Sequence, residues 1–453
     1  MAAIATPPGR GAVAVVRLSG PAALSALLRL CPELEKRPPV ERKQSLLRIH
    51  HPDTGELLDR ALVTYFPAPR SYTGEEVAEI ATHGGTIAPE LVLDALVAVG
   101  VRPAGPGEFT RRAVLNGKLD LLQAEAILDL TDGRSPALHR AAVHQMEGAL
   151  SERIEDLRRL VLQAEALVGY GIDFPDEDEP PVAPERIQKA VSDALGQVEL
   201  ILATAPEGEM LRRGALVVLA GLPNSGKSSL FNALLGTERA IVTDVPGTTR
   251  DAVEADATIN GYPFRLVDTA GLRETPDRVE AIGVEVARRY LSSADIVVFC
   301  SDASRLTSPD EADFLRQLEN PTRLLVRTKA DLDPGGEDQI EPGSTGGLPQ
   351  VRVSVRTGQG LADLKELLLN SAFSSAATAS PDTPIVTNRR HRRELQRAAD
   401  ELRLYLQGAE ESLPAELAAT HLRSAAGALE DLIGVITPDD LLGAIFTQFC
   451  VGK

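Results

Sequence analysis

Tryptophan is absent from the 453 residues, cysteine occurs three times, and aromatic residues make up only 4%. With so few rings, the core has to be built largely from aliphatic side chains. Cys31, Cys300 and Cys450 are too few and too far apart for a disulfide framework, and none forms a C-x-x-C metal pair, which fits a reducing compartment. No window reaches the roughly 18 uninterrupted apolar residues that a membrane helix needs. The opening "MAAIATPPGRGAVAVV" has no basic flank before an apolar run, and Pro7, Pro8 and Gly9 break it early. It does not read as a signal peptide, and a cytoplasmic protein with no membrane partner is expected.

Positive charge is also scarce. Lys and Arg number 47 against 65 Asp and Glu, a net charge of −18. That balance argues against indiscriminate nucleic-acid binding, which needs clustered cations, but leaves room for a local basic face. The densest cluster, "TNRRHRRELQR" from Thr387 to Arg397, reads as a solvated helix start.

What is present is ordinary for a globular chain: 43% apolar and 25% charged residues, in a length that accommodates several domains. Short β-branched runs ("AVAVVRL", "ALVTYF") mix with a helical stretch ("APELVLDALVAVG") up to about Gly100, predicting an α+β domain over residues 1–117. From Leu119, "LDLLQAEAILDL" and "SERIEDLRRLVLQAEALVGY" place apolar residues at three- and four-residue spacing, which predicts amphipathic helices over 118–210. The acidic "GIDFPDEDEPPVAPE" reads as a solvated turn between two of them. Between 211 and 371, the strands "ALVVLA", "PFRLVD", "DIVVFC", "RLLVR" and "VRVSV" alternate with helices, predicting a mostly parallel sheet covered on both faces. After the small-residue linker "SAFSSAATASPD", helical texture resumes over 372–453. An α/β domain inserted into an all-α one follows.

The inserted segment carries the chemistry. "GLPNSGKS" follows the strand "ALVVLA" and opens a helix, the context that a phosphate-binding loop requires. Gly221 and Gly226 let backbone N–H groups close around phosphate oxygens, Lys227 reaches the β and γ phosphates, and the Ser228 hydroxyl can ligate Mg²⁺. In "DTAGL", Asp268 can hold Mg²⁺ through water and the Gly271 N–H can meet a γ-phosphate oxygen. In "TKAD", the Asp331 carboxylate can accept both N1–H and N2–H of guanine, a donor pair that adenine lacks.

With "SVRTG" from Ser354 as a further element, the region resembles the G domain of translation-factor-type GTPases, and "DVPGTTRD" resembles their first switch. Two residues depart from the pattern. Thr328 stands for the usual Asn of N-K-x-D, and Val355 for the usual Ala of S-A-K. A Thr hydroxyl replaces an amide with both donor and acceptor, so guanine choice is expected to rest on Asp331, with affinity left open. Leu272 stands where Ras-like enzymes carry a water-orienting Gln, so hydrolysis needs another residue.

The flanks narrow the resemblance. "ATPPGRGAVAVVRLSG", "SYTGEEVAEIATHGG", "GPGEFTRRAVLNGKLDLLQAEAILDL" and the terminal "FCVGK" resemble, in the same order, the MnmE (TrmE) family of tRNA-modification GTPases over essentially the whole chain.

Several assignments are implied by that resemblance. GTP contacts fall on Asn224, Ser225, Gly226, Lys227, Ser228, Ser229, Thr243, Thr248, Thr249, Asp268, Gly271, Thr328, Lys329, Asp331 and Ser354. Ser228 and Thr249 ligate Mg²⁺. Asn224 and the residues Thr243, Val245 and Thr248 hold a K⁺ ion, and Glu280 activates the attacking water beside Lys227 and Gly271. Arg17, Glu79, Lys118 and Lys453 contact a tetrahydrofolate one-carbon carrier, in the 5,10-methylene form or with 5-formyltetrahydrofolate as ligand. The family acts as a homodimer with the flavoprotein MnmG, which alone carries FAD, in a heterotetramer or larger. It places an aminomethyl or carboxymethylaminomethyl group at C5 of a tRNA wobble uridine.

Cys450 is left open between a nucleophile and packed core, with core the default for a lone Cys after an apolar helix. His83 reads as structural. The competing reading is a ribosome-assembly GTPase switch, but the G-x-x-G module of such proteins does not occur in the helical C-terminal region.

Overall fold

The computed structural model describes residues 1–173, 183–237, 254–269, 288–305, 308–317, 322–332, 348–378, 384–411, 413–434 and 439–452. They group into two compact units. One comprises Met1–Leu128, Met146–Glu155 and the C-terminal segment from Glu430; the other comprises Asp129–Gln145 and Asp156–Leu429. Among the described residues no helix is long and apolar enough to cross a membrane.

The first unit is built on an antiparallel sheet of β1 (Ala2–Ile4), β2 (Val13–Ser19), β3 (Ser45–His50), β4 (Leu57–Phe66) and β5 (Val77–His83), in the order β1-β2-β5-β4-β3. Period-two alternation decides its faces. Val16 and Leu18 of β2, Ala61 and Val63 of β4, and Ala78 and Ile80 of β5 are buried against the helices Ala23–Leu30 and Ile87–Ala98 through Leu27, Leu30, Val92 and Leu96. The intervening residues, Arg17 and Glu79 among them, belong to the opposite face.

A second core in this unit joins distant parts of the chain. Leu121, Ala124, Ile127 and Leu128 pack with Leu442, Ile445, Phe446 and Phe449, from the helix Asp439–Phe446 and the turn after it. The tail then runs back to the sheet: Pro106 bridges Val451, and the Gly107 N–H donates to the Cys450 carbonyl at 3.3 Å. Gly452 sits at φ +99°, and a Cβ there would stand 2.8 Å from Ala5 Cα and from the Ile4 carbonyl oxygen. Only glycine lets the tail lie that close.

The second unit contains a six-stranded sheet: β6 (Ala215–Ala220), β7 (Glu254–Ile259), β8 (Tyr262–Asp268), β9 (Ile296–Asp302), β10 (Arg323–Thr328) and β11 (Gln350–Arg352), ordered β11-β10-β9-β6-β8-β7. All neighbours are parallel except the β7–β8 hairpin, whose turn is Asn260-Gly261 with both residues at positive φ, as a two-residue hairpin favours. β6 is buried along its whole length. Its alternate residues feed two cores: Val217 and Leu219 join Leu230, Leu234 and Phe373, while Leu216 and Val218 join Phe299, Leu315 and Leu325. A sheet buried on both faces is the condition for an all-apolar parallel strand.

The architecture is therefore an α+β N-terminal part, a helical part and an α/β P-loop part, as the residue patterns predict. Two local expectations change. β11 is shorter than "VRVSV", stopping at Arg352. The stretch "SAFSSAAT" is helical rather than a linker, inside a helix Leu361–Thr378 that kinks at Phe373. Phe373 is fully buried, 5.1 Å from the Tyr262 ring and 5.5 Å from the Phe264 ring, so aromatic packing overrides the small-residue composition around it. The acidic turn falls at 174–182, outside the described residues.

Candidate functional site

The loop Gly221–Gly226 leaves the carboxyl end of β6, the central strand from which the sheet order runs both ways. In such sheets ligands bind at that switch point. Gly221 has φ +140°, and a Cβ on it would lie 2.3 Å from the Cys300 carbonyl oxygen, so the turn toward β9 is open to glycine only. Asn224 takes φ +60° at the exposed tip. The helix Lys227–Thr237 follows, so its N-terminal N–H groups and macrodipole face the curl of the loop.

Lys227 is buried, and its Nζ donates to the carbonyls of Gly221 at 3.1 Å and Leu222 at 2.9 Å. The ammonium thus lies over the loop it must serve. Ser225 Oγ is buried with no hydrogen-bond partner among the described residues, an orphaned polar atom inside a loop that would surround phosphate. Ser228 Oγ donates to Asp268 Oδ2 at 2.6 Å. A hydroxyl and a carboxylate brought together at the end of β8 form a hard oxygen set, the donor chemistry that suits Mg²⁺. Ser229 is exposed one residue further along the helix.

Beside this loop stand the β10 and β11 ends. Thr328 Oγ donates to the Ser225 carbonyl at 2.6 Å, with the Ser301 carbonyl at 3.2 Å. This hydroxyl ties the end of β10 to the phosphate loop. Lys329 adopts φ +55°, and its Nζ is 2.7 Å from Asp302 Oδ2. Burial works to raise the Asp302 carboxyl, but the hydrogen bonds from Lys329 and from the Ser304 hydroxyl and backbone outweigh it and hold the group at about 2. Ser354 Oγ donates to Asp331 Oδ1 at 2.7 Å, fixing the plane of a carboxylate whose side chain keeps 16% of its surface open.

A buried network that the motifs do not announce sits behind these residues. Arg327 Nη1 donates to Ser301 Oγ at 2.9 Å, and Ser301 Oγ to Glu311 Oε1 at 3.2 Å. Glu311 is fully buried and accepts both Arg305 guanidinium nitrogens, at 3.1 and 2.8 Å. It also accepts the Ser308 N–H at 2.9 Å while Ser308 Oγ accepts the Glu311 N–H at 3.3 Å, a capping box for the helix Pro309–Gln317. The S-x-x-E spacing was its sequence signal.

In the first unit, Arg17 and Glu79 are direct cross-strand partners on β2 and β5. Arg17 donates to Glu79 Oε1 through Nε and Nη2, both at 2.9 Å, and its Nη1 lies 3.4 Å from the Gly452 carbonyl. The guanidinium carbon is 5.6 Å from the Tyr72 ring centroid and 5.7 Å from that of Phe109. An acid, a base and two aromatic faces thus meet where the C-terminal tail passes, a donor set that fits a planar heterocycle bearing carboxylates. Lys118 is exposed and lies against Gly74, on the loop that carries Tyr72.

Cys450 is a correction: its side chain is exposed rather than packed, because Phe446 and Phe449 take the inward positions and Cys450 follows the turn. His83 Nδ1 lies 2.6 Å from Asp59 Oδ1, and among the described residues no group of three or more His, Cys, Asp or Glu could hold a metal ion. Thr243, Val245, Thr248, Thr249, Gly271, Glu280 and Lys453 lie outside the described residues.

The TrmE N-terminal family description matches residues 1–118, and that of the MnmE helical domain matches residues 121–450. The chain belongs to the MnmE family. The tRNA modification GTPase MnmE of Chloroflexus aurantiacus is 42% identical over 461 residues, covering 100% of this chain and 99% of that protein. The tRNA modification GTPase MnmE of Geobacter sulfurreducens is 40% identical over 453 residues, with 100% and 99% covered. Among solved structures, the G domain of the T. maritima FeoB iron transporter matches 35% of this chain and 98% of that one at 33% identity, with a TM-score of 0.27. As an MnmE-family protein the chain is a P-loop GTPase of tRNA modification, a class that uses GTP and Mg²⁺.

Proposed function

We propose that this MnmE-family GTPase couples potassium-assisted GTP hydrolysis to one-carbon transfer onto tRNA. Acting as a homodimer with an MnmG-type flavoprotein in the cytoplasm, it installs an aminomethyl or carboxymethylaminomethyl group at C5 of a wobble uridine. The observation that carries the reading is the phosphate loop itself, with Lys227 over the curl and Ser228 against Asp268.

In this reading Lys227 and the helix N-terminus bind the phosphates, Ser228 and Thr249 hold Mg²⁺, and Asp331, oriented by Ser354, selects guanine. Glu280 takes the proton of the attacking water, the role that Leu272 cannot fill. Asn224, with Thr243, Val245 and Thr248, holds K⁺, which supplies positive charge where other GTPases set an arginine. Asn224 supports this by standing exposed at the loop tip. Arg17 and Glu79, with Lys118 and Lys453, bind the folate carrier, whose methylene is the carbon transferred. The arginine–glutamate pair between Tyr72 and Phe109 supports that assignment.

The potassium site is tested by GTP hydrolysis in KCl against NaCl at equal ionic strength. Asn224→Gly is the informative variant, because glycine keeps the left-handed backbone while removing the carboxamide. We expect K⁺ to raise kcat by roughly tenfold or more, and the variant to lose that gain. Equal rates of the unaltered chain in both salts would sink the potassium site.

A further inference from the structure

The arginine cluster of "TNRRHRRELQR" forms one wall of an open cleft of about 780 Å³ in the second unit. Asn388 caps the helix Arg389–Glu410, its side chain accepting the Arg390 N–H at 2.9 Å. The first turn carries no acid. Arginines at a helix start oppose the macrodipole, so this placement costs helix stability rather than adding to it.

Two largely shielded carboxylates arrange four guanidinium groups. Glu209, on the helix Ala205–Arg213, lies 3.5 Å from Arg389 Nε and 3.2 Å from Arg392 Nη1. Glu394 lies 2.8 Å from Arg393 Nη2 and 3.3 Å from Arg397 Nη1. Four cations against two anions leave this group net positive in a chain of net charge −18. Of the remaining acids of the cleft, Asp400 pairs with Arg403 at 2.5 Å, and Glu401 lies 2.7 Å from His421 Nδ1. The four arginine side chains keep between 49 and 82% of their surface open. Positions 389, 393 and 397 follow one another at i, i+4 spacing, about 6 Å apart along the helix axis.

We infer that this cleft is where the phosphodiester backbone of the tRNA docks. Guanidinium forks match phosphate oxygens two N–H groups at a time, and arginine side chains this open can turn N–H groups toward an approaching phosphate while staying beside their carboxylates. A chain this acidic repels polyanions over most of its surface, which makes a local cationic trough the place of closest approach. The inference rests on the tRNA-modification reading.

The test is binding of an unmodified tRNA transcript to the full-length chain between 50 and 300 mM KCl, a range over which contacts to phosphate weaken steeply. Arg389→Gln with Arg393→Gln is expected to weaken binding roughly tenfold and to lower the slope of log K against log salt by about 1.4–1.8, or 0.7–0.9 per lost contact. The paired Lys substitutions keep the charge, so the slope is retained while affinity drops by a smaller factor for want of the fork. Should the double variant not fold, Arg389→Gln alone is expected to remove about 0.7–0.9 from the slope. Unchanged affinity and slope, with the unaltered chain binding tRNA, would overturn the site and leave the tRNA-modification reading standing. No tRNA binding by the unaltered chain would overturn both. Loss of poly-glutamate binding with tRNA binding kept would give the cleft to an acidic protein segment instead.

Discussion

Lys227→Ala is expected to lower kcat/KM for GTP by about 10³-fold or more, since a single preorganised donor to developing charge is worth roughly 10²–10³ and Lys227 carries a full charge besides. The residue is buried and sits over the loop, with its ammonium on the Gly221 and Leu222 carbonyls. Removing it therefore costs charge stabilisation without opening an apolar core. Lys227→Arg is not expected to rescue, because a planar fork does not reproduce a compact ammonium inside the curl of a tight loop. The measurement is steady-state GTP hydrolysis with Mg²⁺ and K⁺ present. Activity of the Ala variant within tenfold of the unaltered protein would place the phosphate charge elsewhere.

Asp331→Asn is expected to turn nucleotide preference from guanine toward xanthine. The carboxylate offers acceptors to both N–H groups of guanine, whereas an amide offers one acceptor and one donor. Ser354 Oγ decides how the amide sits: it donates to Oδ1 at 2.7 Å, so the asparagine oxygen takes that side and its NH₂ takes the place of Oδ2. A donor there meets the N–H edge of guanine but suits the 2-oxo group of xanthine. Losing a charged hydrogen bond and burying a mismatched donor cost about 3–5 kcal/mol together, so kcat/KM for GTP should fall by roughly 10²–10⁴. Turnover of XTP should rise in the same variant. If GTP and XTP keep their original ratio, Asp331 does not read the base.

Much of this site was legible because its chemistry is local. "GLPNSGKS" follows an all-apolar strand and opens a helix, and a loop, its glycines and its lysine need only those neighbours in sequence. What was hidden depends on side chains distant in the chain. Thr328 looked like a weakened guanine contact, yet its hydroxyl is 103 residues away from the Ser225 carbonyl it holds. Glu311, Ser301 and Arg327 carry no motif beyond the capping box, and only folding closes their network. β7 was not foreseen because "EADATI" has no continuous apolar run; it exists as the outer strand of a hairpin turned by Asn260-Gly261. Arg17 and Glu79 were named from resemblance alone, and the strand register makes them partners. Cys450 misled because the helix before it is apolar, while the turn after Phe446 changes which residue faces inward.

The most direct measurement is nucleoside mass spectrometry of an unmodified tRNA incubated with the purified chain, an MnmG-type flavoprotein, 5,10-methylenetetrahydrofolate, ammonium or glycine, Mg²⁺ and K⁺, with either GTP or GDP. The account predicts a C5-substituted wobble uridine whose added methylene carries label from the folate, formed with GTP and not with GDP. An unmodified tRNA despite active GTP hydrolysis, or product formed equally with GDP, would contradict it.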